Sequence, residues 1–195
     1  MCRLFCKDTM AEKNEKISPY LLWLDLEMTG LNPERDHIIE IASALTDNNL
    51  EFVAEGPSFV IHQPEEILSL MDEWCVNTHG KSGLTEKVRA STTTIAEAQQ
   101  QTMDFLRQYC QPKTVPLCGN SIYQDRAFLR KYMPEIEDFC HYRIVDVSSI
   151  KEVVRRWYPA SPYTRFVKVE NHRALEDVYA SIEELKHYKK HFFIV

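Results

Sequence analysis

Two carboxylates alternate with leucines in a nearly unbroken apolar run, and this pattern constrains the fold more than any other stretch of the chain. Residues 20–30 read Tyr-Leu-Leu-Trp-Leu-Asp-Leu-Glu-Met-Thr-Gly, with Asp25 and Glu27 two positions apart. In a strand, alternate side chains share a face, so both acids point one way while Leu22, Leu24 and Leu26 pack the other. Two anions side by side suffer desolvation and mutual repulsion, which cost several kcal/mol or force a proton onto one of them. A bound cation relieves both penalties. The alternative is a strand end whose acids simply reach solvent, and Asp-x-Glu alone does not decide between the two.

A third acid lies in residues 116–132, which read as a short strand, a Gly-Asn-Ser turn and a helix. Ile122, Phe128, Leu129 and Tyr132 stand at −3, +3, +4 and +7 from Asp125, so this acid is on the apolar stripe of its helix. Either it has a buried partner or it is a first-turn aspartate stabilised by the helix dipole. In the last helical stretch, Leu175, Val178, Ile182 and Leu185 form an apolar stripe with Asp177 beside it. Ala174 and Ser181 share the face of Asp177 and are small, which leaves room for a close approach. His172 precedes Asp177 by five residues, or about 140° on one helix, so both face one centre only if His172 lies in the loop entering the helix. There it would serve as a mobile base; its alternative is an ordinary surface histidine.

The rest of the chain reads as one alternating α/β unit. Residues 20–27, 37–46 and 52–61 are expected to be strands, separated by Asn-Pro and Asp-Asn-Asn turns. A helical region follows through 65–75 and 95–109, then a strand at 115–119, a helix at 122–132, a strand at 143–147, and helices at 148–157 and 173–190. Residues 1–19 read as an N-terminal extension, poorly ordered at its start, and Met10 resembles an ordinary start site. Residues 20–195 are expected to form a single domain: 195 residues with 44% apolar content suffice for one substantial core. Apolar runs all fall short of the roughly 20 residues that cross a bilayer, and no secretory segment is evident, so a soluble, cytoplasmic protein is expected. The six cysteines lack Cys-x-x-Cys spacing and read as reduced thiols. A net charge of −6 argues against a partner that is a long nucleic acid, which usually demands a basic stripe.

The order Asp25-x-Glu27, Asp125, His172, Asp177 resembles the DEDD exonuclease superfamily in its His-x4-Asp subclass. Within it, the chain is similar to the oligoribonuclease family over about residues 20–192. Asp-Leu-Glu-Met-Thr-Gly-Leu at 25–31, Met-Asp-Glu-Trp at 71–74, Cys-Gly-Asn-Ser at 118–121, Gln-Asp-Arg at 124–126 and His-Tyr-Arg-x-x-Asp-Val-Ser at 141–148 carry the similarity. The departures are in 158–170 and at Asn171, where a smaller or hydroxylated residue is expected.

This resemblance implies a ribonuclease H-like α/β fold, a mixed five-stranded sheet flanked by helices. It implies a 3′-to-5′ exoribonuclease that cuts short oligoribonucleotides, down to dinucleotides, to 5′-mononucleotides with two divalent cations, Mg2+ or Mn2+. Such ions favour an all-oxygen site. Asp25 would bridge both ions, Glu27 and Asp177 would complete the first, Asp125 would hold the second directly or through water, and His172 would take the proton of the attacking water. For the substrate, the resemblance implies Leu31 as a wedge between bases, Trp74 as a stacking platform with His79 nearby, and Ser121, Arg143 and Ser148 as a cap on the 5′ phosphate. Tyr142 would be lent by the second subunit of a homodimer. Leu31 and Trp74 read equally as core. Two rival functions remain open: a broader single-strand 3′–5′ exonuclease of the ribonuclease T or proofreading type, and a non-catalytic dinucleotide-binding module.

Overall fold

The structure, a computed structural model, describes residues 17–167 and 172–194. Most of the N-terminal extension and Asn171 lie outside these residues. The strands are β1 (Tyr20–Met28), β2 (Ile38–Asp47), β3 (Phe52–Val60), β4 (Leu117–Gly119) and β5 (Ile144–Asp146). The helices are α1 (Glu65–Leu68), α2 (Glu73–Lys81), α3 (Leu84–Ala90), α4 (Ile95–Tyr109), α5 (Ile122–Tyr132), α6 (Pro134–Phe139), α7 (Val147–Trp157) and α8 (Ala174–Phe192). The sheet runs β3-β2-β1-β4-β5; β1 to β3 are antiparallel neighbours, whereas β4 and β5 join parallel to β1. This is the expected mixed five-stranded sheet with helices on both faces.

Alternation along β1 divides the core. Leu22, Leu24 and Leu26 pack with Phe105 and Leu106 of α4 and with Ile122, Phe128 and Leu129 of α5. Trp23 faces the other side, where it joins Val154 of α7 and Val178, Ile182 and Tyr188 of α8. Its indole N–H donates to Thr46 Oγ1 at 3.0 Å, so a fully buried polar atom is satisfied within the sheet. Ala42 and Ala44 of β2 lie in this second layer, and their small side chains let α8 come close to the strands. The face of Asp25 and Glu27 is therefore the face that carries α8.

The helices differ from expectation in several places, and α3 was not anticipated at all. The stretch 65–75 is not one helix: the chain leaves α1 at Leu68, and Asp72 restarts it as α2 by accepting from the Cys75 N–H at 2.8 Å. Gly83, at φ 71°, then turns the chain into α3. The short α6 was also unanticipated; it starts with Pro134 in its first turn, where a missing N–H costs nothing. Among the described residues, no helix is long and apolar enough to cross a membrane.

Candidate active site

Asp25 and Glu27 lie in the C-terminal half of β1, half-buried on the α8 face. Asp177 belongs to the first turn of α8 and is buried, its own N–H donating to the Arg173 carbonyl at 3.0 Å. His172 lies two residues ahead of the helix, in the entering loop as the spacing required, with φ at +48°. A histidine in the left-handed region carries a conformational cost that surrounding contacts must hold in place. One carboxylate oxygen of Glu27, one ring nitrogen of His172 and one carboxylate oxygen of Asp177 all lie within 4.8 Å of one another. Residues 145 or more positions apart thus form one centre, and their donors are of the type that a divalent cation takes up.

Asp125 arrives from the other layer. The Leu22 N–H donates to the Pro116 carbonyl, but β4 ends at Gly119 and leaves β1 without a ladder partner further along that edge. Asp125 Oδ1 takes over, accepting from the Leu26 N–H at 2.9 Å and so docking α5 between the two catalytic candidates of β1. Burial pushes its carboxyl up to about 7, the Leu26 N–H opposes this, and the nearby Asp146 adds to it. An acid held so far from its ordinary state is well suited to a cation, which would stabilise the ionised form. The group that the structure brings together is Glu27, His172 and Asp177, without Asp25 or Asp125; carboxylate donors of this kind fit magnesium or manganese by their chemistry.

Beside the acids lies a pocket of about 360 Å³ whose walls include Glu27, Leu31, Trp74 and His79. Leu31 and Trp74 are not core: they are 73% and 60% exposed. The Trp74 ring stands edge-on to His172, with centroids 5.6 Å apart, and to His79 at 6.5 Å. His79 is buried, and its Nε2 lies 3.0 Å from the Met28 carbonyl, so Nε2 carries the proton. Burial lowers its pKa and favours the neutral ring, which leaves Nδ1 as an acceptor 3.9 Å from Glu27, too far for a hydrogen bond. Leu31 is presented by a loop folded around Asp36, which accepts the Asn32 N–H at 2.9 Å; the Gln124 amide donates to the Leu31 carbonyl.

The 5′-cap candidates separate into two groups. Ser121 and Ser148 meet at the leaving end of β5, their hydroxyl oxygens 3.2 Å apart, both tied by backbone N–H groups to Asp146. Arg143 precedes the strand and stacks on the exposed Tyr142 ring at 5.2 Å, in a hollow shared with Leu21 and Pro116. Arg143 thus stands just before β5, and Ser148 just beyond it in the first turn of α7. Two further residues escaped sequence reasoning: Glu40 of β2 and Arg173, next to His172, which bind each other through two guanidinium nitrogens. Glu40 holds the Arg173 guanidinium above its ordinary pKa. Their signal, an acid inside the apolar Ile-Ile-Glu-Ile-Ala run at 38–42, has the same form as Asp25 and Glu27.

Fold and acidic centre together define a nuclease of ribonuclease H-like architecture. The exonuclease family model matches residues 22–185. Over 173 residues the chain is 56% identical to the oligoribonuclease of Marinobacter nauticus, covering 89% of this chain and 96% of that protein. It is 54% identical to the oligoribonuclease of Pseudomonas aeruginosa PAO1 over 172 residues, 88% of this chain and 95% of that one. Among solved structures, the zinc-bound complex of Escherichia coli exonuclease I with single-stranded DNA superposes with a TM-score of 0.70 over 90% of this chain. At 17% identity that likeness speaks for the fold alone, and the chain spans only 41% of the exonuclease I chain. This chain belongs to the oligoribonuclease family.

Proposed function

We propose that the protein is a 3′-to-5′ exoribonuclease that hydrolyses short oligoribonucleotides, dinucleotides included, to 5′-mononucleotides. The observation that carries this reading is the meeting of Glu27, His172 and Asp177 within 4.8 Å in a chain of this family. Asp25, Glu27, Asp125 and Asp177 would hold two divalent cations, magnesium or manganese. When bound, these supply Lewis-acid polarisation of the phosphoryl oxygens and of the attacking water. His172 accepts the water proton through a ring nitrogen, for which it must be neutral. Trp74 stacks on a base without reading its identity, and Leu31 wedges against the neighbouring one, with His79 behind them. The Ser121 and Ser148 hydroxyls bind the 5′ phosphate.

Arg143 completes that cap, and Tyr142 is lent to it by the second subunit of a homodimer. The exposed ring of Tyr142 is open to such a contact. Guanidinium pairs with phosphate through two parallel hydrogen bonds, which suits a terminal phosphate. A cytoplasmic setting agrees with the four described cysteines, all free and buried. With only a few phosphates to neutralise, affinity should depend weakly on salt, in keeping with the net charge of −6.

The test is digestion of a 5′-labelled ribodinucleotide and a labelled long RNA with magnesium, manganese or a chelator. Metal-dependent loss of the dinucleotide, with the long strand degraded far more slowly, is expected. Efficient laddering of the long strand with the dinucleotide left intact would favour the broader exonuclease, and no turnover at all would favour a binding module.

A further inference from the structure

Glu40 and Arg173 lie outside the motifs, yet the geometry ties them to the centre. Glu40 is directly opposite Glu27 in the β1–β2 ladder and is 1% exposed. Like charges facing one another across a ladder are unfavourable, and a buried carboxylate is more so unless its oxygens are fully engaged. Three donor atoms engage them. Arg173 Nε stands 3.1 Å from both oxygens, Arg173 Nη2 lies 2.6 Å from Oε1, and the Ala174 N–H reaches Oε2 at 3.1 Å.

The Ala174 bond matters because Ala174 opens α8. The helix has no cap from its own flanking side chain, since Arg173 at that position has no acceptor to offer. A strand residue 134 positions away therefore does what a local Ser or Asp usually does. The start of α8 is thereby fixed to β2 at the rung that carries Glu27. His172, immediately before Arg173, is held at a left-handed φ that it would leave if released. Asp177 hangs from the Arg173 carbonyl through its own N–H.

We propose that Glu40 and Arg173 are positioning residues that set where His172 and Asp177 stand relative to Glu27, without touching the substrate. This deepens the exonuclease reading and rests on it. Glu40→Gln keeps the shape and an acceptor for the Ala174 N–H but removes the charge that Arg173 answers. Arg173→Lys keeps the charge but loses the planar fork. Steady-state hydrolysis of a ribodinucleotide is measured for both variants, with thermal melts to choose a temperature at which each is folded. A displacement of about 1 Å at a reacting centre can cost about 100-fold, so a fall in kcat of at least about tenfold is expected. KM should stay within about threefold, because Trp74 and Leu31 are held by other elements.

A pair that served stability alone would lower the melting temperature and leave kcat of the folded enzyme unchanged, and that result overturns the proposal. If Glu40→Gln does not fold, Arg173→Lys decides alone. Failure of both to fold would assign the pair to stability and also overturn it. A wild-type protein inactive on the dinucleotide would instead refute the exonuclease reading, so the two failures are distinguishable.

Discussion

Asp125 shows how a single residue can report on the site. Its carboxyl is raised from 3.8 to about 7, chiefly by burial. A raised acid favours folding when protonated, so this contribution is complete below the unfolded value and is lost as pH climbs through about 7. Through this group alone, metal-free protein should lose stability as pH rises from about 4 toward 7, against the gain from acids such as Asp36 and Asp72 that folding holds low. Asp125→Asn still accepts from Leu26 but cannot ionise, so its urea midpoint in chelator should rise relative to wild type as pH climbs over that range; parallel curves for the two proteins would contradict the burial account. Trp74 is legible in a different way. Its exposure makes Trp74→Ala a binding variant: kcat/KM should fall by about 1–3 kcal/mol while the melting temperature changes little. A large loss of stability with unaltered kcat/KM would return it to the core. Asp25, Glu27 and Asp125 stand out in the sequence because each interrupts a periodic apolar pattern, whereas Asp177 lies beside its stripe and His172 is singled out only by its spacing from Asp177. Arg173 could not be singled out, because a side chain at a helix entrance looks like any surface arginine until its partner 133 residues away is known.

At the scale of elements, three pieces carry the centre: β1, the start of α8, and α5 with the loop it supports. Period-two and period-3.6 patterns made these elements readable, and His172 was placed outside the helix by angle alone. The break between α1 and α2 was harder, since it depends on one capping bond from Asp72 rather than on a change of periodicity. That bond has a functional result, because it puts Trp74 on a first turn facing His172 instead of inside a longer helix. The loop bearing Leu31 is equally specified. A Cβ on Gly30 would stand 2.3 Å from Asp36 Oδ2, so any other residue there would force the Asp36 carboxylate or the loop to shift. Gly30→Ala should cost about 1–3 kcal/mol in chemical denaturation. It should also weaken dinucleotide binding, and unchanged stability would mean that the loop relaxes freely.

For the whole molecule, a mixed five-stranded sheet was expected but its strand order was not, because pairing between β1 and β4 depends on contacts about 95 residues apart. If two subunits share the cap, Arg143→Ala should impair dinucleotides more than heptanucleotides, and specific activity should fall on dilution below the dimer dissociation constant. Equal losses on both lengths, with activity independent of concentration, would speak against the shared cap.

The central claim is that four carboxylates from three elements converge on divalent cations, and manganese lets it be tested directly. Crystals soaked in manganese and measured at its absorption edge should show two anomalous peaks, one against Glu27 and Asp177, one toward Asp125, and Asp25 touching both. Peaks elsewhere, or none at these carboxylates under conditions that support hydrolysis, would contradict it.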